Sequence, residues 1–163
     1  MWAFPGIERA NYTMADIRPG PDVDVIADLH ALPDEWTGRY DAFWAGAVFE
    51  HLERPWIAAK EVARVLMPGG LCYVATHQTW PLHGHPSDFW RFSAEALALI
   101  FRDAGLEVLS VGYQHRLRIV LPLDVMPPDV ARGPDRRRAQ WLDEWNQLSP
   151  SYGVVKLAAR KHG

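Results

Sequence analysis

The sequence predicts an α/β fold built on a mostly parallel sheet, and three features carry that prediction. Short apolar runs alternate with amphipathic segments of helical period, turn chemistry separates them, and neither an internal repeat nor a low-complexity tract breaks the alternation. The chain has 163 residues, 48% hydrophobic and 23% charged, enough for one sizeable core. A single domain over residues 1–163 is therefore expected.

Each element has its own local reason. Residues 12–17 read as a short strand ending at Asp16, and residues 22–27 as a second that runs into Asp28. Leu32 to Tyr40 holds turn residues ahead of a third strand, Asp41 to Ala47, whose aromatic and small side chains suit a buried place beside a cleft. Glu50, His51 and Leu52 follow at its C-terminal end. Pro55 opens a helix, where its missing N–H costs nothing; Ala59, Val62, Ala63 and Leu66 share one face, with Lys60, Glu61 and Arg64 opposite. Met67-Pro68-Gly69-Gly70 stops it, and residues 71–76 form the clearest strand of the chain. The loop from His77 to Arg91 is dense in His, Trp and Pro. Ser93 caps a helix carrying Leu97, Ile100, Phe101 and Ala104, which Gly105 ends. A strand over 106–113, a proline-rich and charged insertion over 121–150, and a last strand over 151–160 complete the pattern. Within the insertion, Arg136-Arg137-Arg138 reads as a solvated helix face.

Composition bounds the function. A net charge of −3, with acids and bases interspersed, excludes the broad basic footprint of a nucleic-acid binder. No apolar run approaches the roughly 18 residues that span a bilayer, and the first residues lack the pattern of a signal peptide. A soluble, cytoplasmic protein is expected, with neither nucleic acid nor membrane as partner. The single cysteine, Cys72, fits a reducing compartment and a buried strand position. Trp is frequent, at 8 residues, and Pro at 13, which points to aromatic surfaces and proline-turned loops.

Several residues invite chemistry and have plainer readings beside it. Asp16 and Asp28 are strand-end acids of the kind that also form turns. His51 stands at a strand–helix junction as a site residue or a cap, and Glu50 complements the N-terminus of the next helix. His77, His83, His85 and Asp88 offer metal-ligand types in one loop, but loop hydrogen bonding and the lining of a pocket are the preferred reading, and no metal is expected.

The ordered set of two strand-end acids, YDAFWAGAVFEHL over 40–52, RVLMPGG over 64–70, LCYVAT over 71–76 and HPSDFWRFSAEAL over 85–97 resembles the class I S-adenosylmethionine (SAM) dependent methyltransferases of the type-11-like, small-molecule kind. It covers Tyr12 to Gly112 and the last strand. The resemblance implies a three-layer Rossmann-like sheet, mostly parallel with an antiparallel last strand. It assigns SAM as cofactor, with Asp16 accepting from the ribose hydroxyls, Asp28 receiving the adenine amino group, Leu29 bordering the adenine, and Ala45 opening beside the methionine part. Methyl transfer is an in-line displacement, and His51, His77 and His83 are the candidate catalytic bases for a protonated acceptor. His85, Asp88, Trp90 and Arg91 line the acceptor side. The chain departs from the family in one respect: the residues before Asp16 contain no GxG, so the usual first strand and glycine loop are expected to be lacking. That would expose sheet edges which a second copy could cover in a homodimer. The function expected is methyl transfer to a small molecule such as a sugar or natural-product intermediate. The alternative is a degenerate homologue that has lost SAM and serves as a binding or assembly partner, or catalyses another reaction.

Overall fold

The computed structural model describes residue 8 and residues 11–80, 82–84, 87–115 and 153–163. The 121–150 insertion, Arg136 to Arg138 and His85 lie outside the described residues. The elements run β1 (Ala15–Asp16), β2 (Val25–Ile26), β3 (Tyr40–Gly46), α1 (Pro55–Val65), β4 (Leu66–Thr79), α2 (Ala94–Asp103), β5 (Leu106–His115) and β6 (Gly153–Lys161), with single 3-10 turns at Asp34–Trp36 and Phe49–His51.

Two sheets form instead of one. β1 and β2 pair in parallel through two residues each, and a four-stranded sheet has the order β3-β4-β6-β5. In the larger sheet β3 and β4 are parallel, while β6 runs antiparallel to both β4 and β5. Three strands thus share one direction and the last opposes them, as expected. β1 and β2 are far shorter than the sequence pattern suggested. Residues 17–24, which join them, contain Pro19-Gly20-Pro21 and no helix, whereas a parallel crossover usually takes a dozen residues or more. The Asp24 carboxylate instead accepts from the Met14 N–H at 2.7 Å and closes the pair.

The core lies on one face of the larger sheet. Along β4 the buried residues Cys72, Val74 and Thr76 alternate with the half-buried or exposed Leu71, Tyr73 and Ala75, and along β6 Val155, Leu157 and Ala159 are buried. α1 contributes Ala58, Ala59 and Val62 to this core, and α2 contributes Leu97, Ala98 and Phe101. Both described helices therefore cover the same face. The three-layer expectation is met by two layers among the described residues. Phe49 and Phe101, both fully buried, meet at 5.3 Å between ring centres and join the end of β3 to α2. Cys72 is buried in its strand, and burial pushes its thiol up to about 12.

Local signals at the helix ends act as read from the sequence. Pro55 is the first residue of α1, and the Ser93 hydroxyl accepts from the Ala96 N–H at 3.1 Å. Gly105 leaves α2 at φ +85°, a conformation that a side chain would strain. The outer face of α1 has a further task. Glu61 and Arg64 form a two-point ion pair, and the same groups bind the Leu32 N–H at 2.8 Å and the Leu32 carbonyl at 2.8 Å. That clasp fastens the segment after β2 to the helix.

Phe101→Ala should lower unfolding free energy by about 3–5 kcal/mol, because the ring leaves a cavity between α2 and the sheet. Leu99→Ala, on the exposed side of the same helix, should stay within about 0.5 kcal/mol. Urea unfolding of the two variants checks both.

Candidate functional site

The C-terminal ends of β3 and β4 hold a cluster of polar side chains around one buried carboxylate. After Gly46 the chain turns sharply: Ala47 has φ +54°, the left-handed region that non-glycine residues avoid, and its N–H is held by the Ala75 carbonyl at 2.8 Å. The turn brings Glu50 back against the sheet, where it is fully buried. Its Oε2 accepts from the Thr76 hydroxyl at 2.6 Å, and His77 Nδ1 lies 2.9 Å from its Oε1. Burial pushes the Glu50 carboxyl up, but the contacts with His77 and Thr76 outweigh it and hold the group below its ordinary range. Glu50 therefore does not complement the next helix, as its place in the sequence suggested; α1 has no acid in its first turn.

The loop from Ser87 to Phe92 is fastened onto this turn. The Glu50 carbonyl accepts from the Phe89 N–H at 2.8 Å, the Leu52 carbonyl from the Trp90 indole at 2.9 Å, and the His77 carbonyl from the Phe92 N–H at 2.9 Å. His51 Nδ1 donates to the Ser87 carbonyl, since a carbonyl only accepts. In the neutral ring Nε2 then bears the lone pair, and it lies 3.8 Å from Glu50 Oε1. His83 completes the group, its ring centre 4.9 Å from that of His51 and 5.1 Å from that of His77. Trp80 stacks flat on His77 at 4.4 Å.

The three histidines predicted as candidate bases are thus brought together. Of the acceptor-side residues, Asp88 and Arg91 bind each other through both carboxylate oxygens, and Asp88 also accepts from the His83 N–H at 2.9 Å. Arg91 further donates to the Trp80 carbonyl at 3.0 Å. These two side chains shape the loop that carries His83. Trp90 is partly exposed while Phe92 is buried in the core.

The candidate cofactor residues sit apart from the histidines. Asp16 ends β1 exposed, and its Oδ1 accepts from the Arg18 N–H at 2.8 Å. Asp28 follows β2, with Oδ1 bound to the His30 N–H at 2.9 Å and to His30 Nδ1 at 2.7 Å; the His30 backbone contact leads in holding its carboxyl below the usual range. His30 Nε2 in turn accepts from the Arg54 N–H at 3.2 Å, which ties this acid to the start of α1. Leu29 packs against the core, and Ala45 is buried in it. A Cβ on Gly46 would come within 2.5 Å of the Trp44 ring, so glycine there is what lets the indole lie against the strand end.

Glu50 is the residue of this cluster that sequence reasoning assigned elsewhere. Its signal was a lone acid in the otherwise apolar stretch AVFEHL, which only a buried partner makes tolerable.

The Arg91 guanidinium beside Asp88 holds that carboxyl well below the ordinary value of 3.8. A depressed carboxylate adds stability above its unfolded pKa that is lost as pH falls through the folded one. Asp88→Asn should lower the melting temperature by a few degrees near pH 7 and flatten its fall below about pH 4. Thermal melts across that range check the slope.

Residues 8–74 match the family described as a methyltransferase domain. No curated protein matches the chain. Among solved structures, the (4+2)-cyclase SpnF is 23% identical with a TM-score of 0.55, covering 85% of this chain and 56% of that one. The Burkholderia thailandensis 1,6-didemethyltoxoflavin-N1-methyltransferase, solved with 1,6-didemethyltoxoflavin and S-adenosylhomocysteine, is 13% identical with a TM-score of 0.60, covering 94% of this chain and 62% of that one. The chain spans less than two thirds of either protein. At such identities the likeness establishes the fold. The matched segment, residues 8–74, is thus similar to a methyltransferase domain, and the chain shares its fold with these two solved structures.

Proposed function

We propose that the protein transfers a methyl group from SAM to an oxygen or nitrogen of a small molecule, of the sugar or natural-product-intermediate class. The observation that carries this reading is the pair of acids at the C-terminal ends of parallel β1 and β2. Asp16 and Asp28 each commit one carboxylate oxygen to a local turn, and the other has no partner among the described residues. Free carboxylate oxygens at strand ends suit ribose hydroxyls and an adenine amino group. The described residues thus fit the nucleoside half of SAM, with Leu29 beside the base; Ala45 borders the methionine half.

When bound, SAM supplies an electrophilic methyl whose S–C bond breaks as the acceptor's O–C or N–C bond forms. The chain's own part is placement and proton removal. His51 is the base this reading favours: with Nδ1–H held by Ser87, Nε2 is the nitrogen left to take the acceptor's proton, with the Glu50 carboxylate 3.8 Å away to favour the protonated ring. His77 and His83 wall the same space, and Trp90 offers a partly exposed aromatic edge to the acceptor. His85 belongs to this loop by sequence. Asp88 and Arg91 act by holding it in shape.

Two strand edges also bear on this reading. β1 pairs only with β2, and β3 only with β4, among the described residues. A strand from a second copy is one way to cover them, which makes a homodimer part of the proposal.

Calorimetric titration with SAM, and separately with S-adenosylhomocysteine, tests the reading. Micromolar binding is expected, weakened about 10- to 100-fold in Asp16→Ala and Asp28→Ala, since each loses hydrogen bonds to a charged group of about 1.5–3 kcal/mol. Folded protein that binds neither compound would sink the proposal and favour the degenerate-homologue alternative.

A further inference from the structure

The strongest unassigned feature is the buried donor set around Glu50, and we propose that Glu50, His77 and His83 form a binding site for a divalent transition-metal ion, zinc being the ion it suits. One ligand atom from each of the three residues lies within 4.8 Å of the others. Around a tetrahedral zinc, donors about 2.0–2.1 Å from the ion stand about 3.3 Å apart. The closest pair, Glu50 Oε1 and His77 Nδ1, is 2.9 Å apart. The spread brackets the required geometry.

Satisfaction of polar atoms points the same way. Glu50 Oε1 and His77 Nδ1 are buried and face each other at 2.9 Å, and no other polar atom among the described residues gives either a well-aligned hydrogen bond. Glu50 is wholly buried and His77 is only 7% exposed, so both are removed from bulk solvent. Leaving a buried charged acceptor unmade is costly, and a cation between the two resolves it. His51 Nε2 lies 3.8 Å from the same oxygen.

The surroundings are those that hold metal ligands in place. Thr76 fixes the second carboxylate oxygen of Glu50 and leaves Oε1 as the donor. Trp80 stacks on the His77 ring. Asp88 lies 3.3 Å from His83 Nδ1 and binds its backbone, the carboxylate-to-histidine contact that orients a ligand ring. Two imidazoles and one carboxylate favour zinc and its transition-metal neighbours over magnesium or calcium, which prefer oxygen throughout. Three protein ligands also leave a position open to water. The expectation from sequence was that the loop histidines form hydrogen bonds and bind no metal. The fold supplies Glu50, which that reading did not include in the ligand set.

The proposal stands apart from methyl transfer, and its test uses neither SAM nor turnover. Chelator-treated full-length protein is titrated with Zn²⁺ by calorimetry and with Co²⁺ by visible absorption. One equivalent of Zn²⁺ per chain, intense Co²⁺ bands of low coordination number, and no comparable Mg²⁺ binding are expected. His83→Ala and Glu50→Gln should each weaken Zn²⁺ affinity about tenfold or more. Absence of binding, or affinity unchanged in folded His83→Ala, would overturn it. His83→Ala alone decides the matter if Glu50→Gln fails to fold, because the loop residue can be removed without leaving a buried charge.

Discussion

A carboxylate with no solvent exposure is the constraint around which this site is organised. Glu50 can stay buried only while its oxygens face donors or a cation, so Thr76, His77 and the turn that delivers Glu50 must hold their positions together. That demand explains the strained Ala47, whose left-handed backbone is stabilised by a bond to β4. It also explains why the following loop closes back on the turn. The backbone around Glu50 accepts from Phe89 and Trp90, so the position of the buried acid and the path of the loop are set by one network.

The candidate cofactor residues and the histidines belong to different sheets. The exposed strand-end acids Asp16 and Asp28 belong to a small, separate pair of strands held to α1 by Glu61, Arg64 and the His30 bridge. The histidines belong to the larger sheet, where Phe49, Phe101 and the β4–β6 ladder give them a rigid floor. β3 belongs to the larger sheet as well. Ala45 and Gly46 end that strand, and the Trp44 indole covers the glycine.

Much of the frame was legible in order along the chain. Pro55, Ser93 and Gly105 mark helix ends by intrinsic backbone chemistry, and they do so in the fold. Alternating burial in residues 71–76 and in the last strand follows from a period of two. The short β1 and β2 were less legible. Their apolar pattern suggested longer strands, but a connection over 17–24 leaves little room for a parallel crossover, so pairing stops after two residues.

The sequence by itself determined the element types, their order, the strand-end acids and the residue types of the histidine-rich loop, because these depend on contacts within a few residues. Only tertiary structure decided that Glu50, distant in sequence from Thr76, His77 and His83, would be the centre of the cluster. It also decided that Asp88 and Arg91 would bind each other, and that both described helices would cover one face. Those outcomes turn on burial and on which polar groups remain to satisfy one another once the sheet has closed. Such quantities exist only when residues far apart in the chain meet.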